Sequence, residues 1–111
     1  MNTIEVDSIK FKNAIIKSQI PFELPEFEKD IEEMIIEPNF GNDYYSNMII
    51  QNYPKLQSIV VNSYSLKNLH SLKICNCKKL KTFKTEEYAF HDIKSMMIES
   101  IDYLILLFKS S

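Results

Sequence analysis

A six-residue pattern, apolar-x-Ser-apolar-x-apolar, recurs along the chain. It is clearest in LQSIVV from Leu56, LHSLKI from Leu69 and IKSMMI from Ile93. The same template fits VDSIKF from Val6 and IEEMII from Ile31, so the starts fall at positions 6, 31, 56, 69 and 93. Three of the four steps are long and nearly equal, and the step from Leu56 to Leu69 is about half of them. The first, fourth and sixth positions are apolar in every copy: Val6, Ile9, Phe11; Ile31, Met34, Ile36; Leu56, Ile59, Val61; Leu69, Leu72, Ile74; Ile93, Met96, Ile98. The third position holds Ser8, Ser58, Ser71 and Ser95, with Glu33 in the remaining copy.

Positions four and six are two apart, which places them on one face of a short β-strand. Parallel strands repeating at such intervals cannot be hairpins; each must return by a crossover. The return segments carry apolar residues that are expected to close the far side of the core. These are Ile15, Ile16, Ile20, Phe22, Leu24 and Phe27; then Phe40, Met48, Ile49, Ile50 and Tyr53; then Leu80, Phe83, Tyr88, Ala89 and Phe90. PEFEKDIEEM and TEEYAFHDI each predict a helical turn, with Pro25 at a helix start and Thr85 as an N-cap. The whole chain, 1–111, reads as one domain with coils at about 6–30, 31–55, 56–68, 69–92 and 93–111.

At LHSLKICNCKKL, residues 69 to 80, the chain resembles the leucine-rich-repeat family. The family core is L-x-x-L-x-L-x-x-N/C-x-L, in repeats of roughly 20–29 residues. Leu69, Leu72, Ile74 and Cys77 fall on that core, and Leu80 lies one place late, as in the cysteine-type variant. The resemblance covers residues 6 to 104 and implies an α/β, leucine-rich-repeat-like right-handed solenoid. Its expected parts are a short parallel β-sheet of about five strands and irregular or helical returns. The Asn/Cys position holds Asn39 in the second coil but Ala14, Tyr64 and Ile101 elsewhere, and the coil 56–68 is shorter than the family's repeats. Regular curvature is not expected at that coil.

A protein-binding scaffold is the function this resemblance implies, with the partner held on the concave strand face. The face columns read Asp7, Glu32, Gln57, His70, Lys94; Lys10, Ile35, Val60, Lys73, Met97; and Lys12, Glu37, Asn62, Cys75, Glu99. The candidate partner-binding residues are Ile35, Glu37, Gln57, Val60, Asn62, His70, Lys73, Lys94, Met97 and Glu99. Five strands about 4.8 Å apart span roughly 19 Å, less than a standard interface needs. The alternative is a structural, self-assembling segment that associates through its open edges. The apolar ending YLILLFKSS fits either a folded-back cap at Leu104–Phe108 or a fragment of a longer array, because solenoids need their terminal coils covered.

Composition narrows the classes. At 111 residues and 45% hydrophobic, with seven Phe and six Tyr, the chain has ample apolar surface to bury and disorder is not expected. All thirteen basic residues are Lys and the net charge is −2. Without the guanidinium fork, nucleic acid is not an expected partner. No basic leader followed by an apolar run opens the sequence, and no stretch of about 18 apolar residues would span a membrane. A cytoplasmic setting is therefore expected, and two cysteines make no disulfide framework. Residues 23–43 carry eight acids against Lys29, whereas 67–84 carry six Lys and no acid.

Candidate chemistry is sparse. Cys75, Cys77, His70 and His91 lack zinc-ligand spacing, and in the repeat Cys75 faces outward and Cys77 inward. Cys75 and His70, on the outer face of one strand but well apart along it, do not meet as a nucleophile pair. Ser71 beside His70 has no positioned orienting carboxylate. With Gly41 as the single glycine, no glycine-rich phosphate loop forms. No catalytic residue, metal or cofactor is expected.

Overall fold

The structure, a computed structural model, describes residues 8–11, 29–43, 45–99 and 104–109. These form eight strands: β1 (Ser8–Phe11), β2 (Glu33–Ile36), β3 (Asn47–Gln51), β4 (Ser58–Val61), β5 (Ser71–Cys75), β6 (Thr82–Thr85), β7 (Ser95–Ile98) and β8 (Ile105–Phe108). They fall into two sheets, a five-stranded one in the order β1-β2-β4-β6-β8 and a three-stranded one in the order β3-β5-β7. Every pairing is parallel. From β2 onward the chain lays one strand in the first sheet, crosses, lays one in the second, and crosses back.

The parallel ladder is therefore double where the repeat predicts one. The rungs beginning near Val6, Ile31 and Leu56 enter the five-stranded sheet, and those beginning at Leu69 and Ile93 enter the three-stranded sheet. The short interval between Leu56 and Leu69 is not a truncated coil. It is the distance between the two strands of one coil, and the full turn runs from β4 to β6, which pair Ser58 with Thr82. The coils assigned to 56–68 and 69–92 are replaced by one running from Leu56 to about Lys79.

The returns are strands and turns; there is no helix among the described residues. Thr85 ends β6, so it does not cap a helix, and Glu33 and Met34 begin β2. Pro25 and the first return, including Ala14, Ile15, Ile16, Ile20, Phe22, Leu24 and Phe27, lie outside the described residues, as do Val6 and Ile101. Leu104–Phe108 does not fold back as a cap. Its last four residues are β8, paired in register from Thr82↔Ile105 to Thr85↔Phe108.

The core lies between the sheets. Met34, Ile36, Ile59, Val61 and Phe83 point in from one, and Met48, Ile50, Leu72 and Ile74 from the other. Leu56, Leu69 and Leu80, each just ahead of a strand, add to the same cluster. Of the expected return anchors, Phe40, Tyr53 and Phe90 are buried as well. Ile49 is only half-buried and Tyr88 is exposed.

Two families of stacked turns join the sheets. The crossing from five- to three-stranded sheet repeats two left-handed backbone positions: Asn39, Tyr64 and Tyr88 at the first, Gly41, Leu66 and Phe90 at the second. Gly41, with φ 69°, is the position that needs a glycine, because a Cβ there would stand 2.7 Å from Leu66 Cδ2. Phe40 beside it is buried, as are Leu66 and Phe90 in the next coils. The opposite crossing stacks Asn52 on Asn76, both left-handed, and Asn76 Nδ2 donates to Asn52 Oδ1 at 2.7 Å.

Buried polar groups are satisfied from coil to coil. Ser65, fully buried, donates its hydroxyl to the Glu37 carbonyl and accepts from the Phe40 N–H at 3.3 Å. Asn42 spans the same interval: its side chain donates to Tyr64 O at 2.9 Å and accepts from Lys67 N at 2.9 Å. Such bonds add to the backbone bonds that continue from coil to coil through the turns, among them Leu66 N to Phe40 O at 2.7 Å.

Candidate functional site

Because both sheets contribute to one core, their outer faces look away from each other. This divides the candidate residues. Ile35, Glu37, Gln57, Val60 and Asn62 belong to the five-stranded side, and His70, Lys73, Lys94, Met97 and Glu99 to the three-stranded side. One continuous concave surface holding all ten does not form. Asp7 and Lys12 lie outside the described residues.

On the five-stranded side, strand register aligns Ile35, Val60, Lys84 and Leu107 in one outward column and Glu33, Ser58, Thr82 and Ile105 in another. Ile35 and Val60 are half-buried, flanked by side chains of adjacent strands. Beyond the strand ends lie Glu37, Asn62, Glu86 and Lys109. Asn62 is partly committed to structure, since its Nδ2 donates to Ile36 O at 2.9 Å. Gln57 Nε2 donates to Glu32 Oε1 at 3.3 Å.

Glu86 lies between two lysines on this side. Its carboxylate lies 2.8 Å from Lys109 Nζ and 3.3 Å from Lys84 Nζ. The hydrogen bond from Lys109, then that from Lys84, holds the carboxyl below its ordinary value of 4.5. Lys109 is raised reciprocally, chiefly by its hydrogen bond to Glu86.

On the three-stranded side the central column is Ile49, Lys73 and Met97. Glu99 turns toward the turn stack, where its Oε1 accepts from Asn76 N at 2.9 Å. His70 and Lys94 are exposed and adjacent through backbone, Lys94 N donating to His70 O at 2.8 Å. An open groove of about 350 Å³ runs past Asn52, Pro54, Asn76 and Lys78.

The cysteines diverge by one strand end. Cys75 is half-buried on β5 with its Sγ 3.6 Å from Gln51 Oε1. Cys77 is buried, its Sγ 3.4 Å from Cys75 O, and burial raises its thiol pKa. Cys77 stacks in the same turn family as Tyr53, whereas Asn39 and Tyr64 belong to the opposite crossing, so the Asn/Cys position of the repeat is two different places. Among the described residues no three His, Cys, Asp or Glu side chains gather where a metal ion would be held. No helix there is long and apolar enough to cross a membrane.

Two surface features escape the strand pattern. Tyr64 and Tyr88 stack face to face at 5.0 Å and 14°, with Lys67 Nζ 5.9 Å from the Tyr64 ring. Their separation by one whole coil, the same step as from Leu69 to Ile93, is the sequence signal for this stack. The second is the end of the winding. Ile105, Leu106, Leu107 and Phe108 are all exposed, as is Met97. A cleft of about 200 Å³ opens there between the sheets, lined by Phe90, Ile93, Met96 and Phe108 among others. Comparison of the chain with family models, with curated proteins and with solved structures returns no match.

Proposed function

We propose that this chain is a non-catalytic, leucine-rich-repeat-like solenoid that recognises a protein partner through the outer face of its five-stranded sheet. The reading is carried by the in-register column that sets Ile35 beside Val60, with Glu37 and Asn62 at its rim. An apolar centre with a polar border is the usual composition of a protein interface. Gln57 lies beside the same strands and supplies selectivity.

The test compares the two outer faces. Val60→Asp alters the proposed surface next to Lys84, and Lys73→Asp alters the opposite one. Each purified variant, checked for unchanged circular dichroism and unfolding midpoint, is immobilised and its captured proteins are identified by mass spectrometry. A partner retained by the wild type and by Lys73→Asp but lost on Val60→Asp supports the assignment. Equal retention by both variants removes it.

A second reading, association of copies through the open end, is favoured by the exposure of all four β8 side chains, since an uncovered apolar edge strand is a template for pairing.

A further inference from the structure

The two sheets do not end level. β8 is laid down after β7, so the five-stranded sheet projects one strand beyond the three-stranded sheet at this end. The projection is apolar on both sides: Leu106 and Phe108 align with the inward positions Phe83 and Thr85, and Ile105 and Leu107 with the outward Thr82 and Lys84. Next to it, β7 pairs with β5 alone among the described residues and borders the cleft lined by half-buried Met96 and exposed Phe108.

Resting on the self-association reading, we propose that the occupant of this step is a second copy of the chain. Each β8 fills the vacant strand position beside the other copy's β7, forming a closed dimer. The chain must come back the length of a strand in every coil, so strands of the two sheets run in opposite directions. A two-fold axis along the strand direction exchanges the sheets and preserves that direction. It brings the partner's β8 antiparallel to β7, and β7 of the partner antiparallel to β8, at the ordinary spacing of about 4.8 Å. Projection and vacancy are then each other's complement, as an isologous contact requires.

Matching inward to inward leaves two registers of three pairs each; one sets Leu107 against Ser95, and the other pairs apolar side chains throughout and is the one proposed. Met96 faces the partner's Phe108, Met97 the partner's Leu107, and Ile98 the partner's Leu106. Every one of these side chains is apolar. A contact made by two short strand pairs is smaller than a standard interface, so weak association is expected.

Sedimentation equilibrium of the full chain, carried to about 1 mM, reads the pairing. A monomer–dimer equilibrium is expected. Leu107→Glu alone weakens it at least about tenfold, and Met97→Lys added in the same chain restores it to within about threefold, because in this register position 97 meets position 107 across the interface. Both residues are exposed on outward positions, and circular dichroism confirms that the variants fold. Three outcomes overturn the proposal. A monomer throughout sinks the self-association reading with it. Oligomers that grow with concentration retain that reading but exclude the closed pair. A dimer weakened by Leu107→Glu and not rescued by Met97→Lys excludes the proposed register and assigns the contact to another, such as the one that sets Leu107 against Ser95 or β8 against β8.

Discussion

In the coil that begins at Leu56, the side chains of Leu56, Ile59, Val61, Leu66, Leu69 and Ile74 are each 0% exposed. In β8, Ile105, Leu106, Leu107 and Phe108 stand between 48% and 53% exposed. β4 and β8 are alike in length and direction, and Leu106 occupies the same inward register position as fully buried Phe83. The difference lies in the neighbours. The middle coil has a coil on either side, whereas among the described residues β8 pairs with β6 alone. In a wound chain of this kind, a residue's own periodicity chooses the direction it points, and the adjacent coil decides whether that direction is dry.

The largest way to sharpen this contrast is to truncate an aromatic ring in each region. Phe83→Ala removes a fully enclosed side chain and is expected to cost about 3 to 5 kcal/mol in urea unfolding. Phe108→Ala, measured where the chain is monomeric, should cost under about 1 kcal/mol because its half-exposed ring forfeits little burial. Equal losses would show that β8 is covered in solution.

A smaller effect probes the polar ties of the middle coil. Ser65→Ala leaves the Phe40 N–H and the Glu37 carbonyl without their buried partner, a loss of about 1 to 3 kcal/mol. The same urea titration measures it, and a midpoint unchanged from wild type would mean water replaces the hydroxyl.

The smallest effect is expected at the exposed end. The carboxyl of Glu86 is lowered in the folded chain by Lys109 and Lys84. A group with a depressed folded pKa stabilises above its unfolded value, near 4.5, and that contribution disappears as pH falls through the folded value. Glu86→Gln should therefore flatten slightly the acid limb of a stability-versus-pH curve and leave neutral-pH spectra unchanged. Solvent screening keeps this change small, and a steeper acid limb in the variant would contradict the assignment.

Much of the inward pattern was legible in the chain. Met34, Ile36, Ile59, Val61, Leu72 and Ile74, chosen by two-residue alternation at coil spacing, are all in the core. What alternation does not report is which sheet a strand joins. A strand facing the core from either side shows the same apolar-x-apolar signature, so Leu56 and Leu69 looked like successive rungs of one ladder. β6 was hidden for a different reason: its second inward position is Thr85, a buried hydroxyl that hydrophobic counting discards. β3 does satisfy the spacing, through Tyr45, Met48 and Ile50, and the short interval from Leu56 to Leu69 was itself the clue to two strands per coil.

The candidate surface divided for the same reason. Val60, Lys73 and Met97 take the outward positions that alternation predicts, yet opposite sheets turn them to opposite sides. Local chemistry, which acts through residues close in the chain, set the short strands, their alternation and the regular return of the pattern once per coil. Assignment of strands to two facing sheets, the left-handed turns at Tyr64 and Phe90, and the uncovered end at β8 depend on contacts a whole coil apart. Only the packing of one coil on the next could decide them.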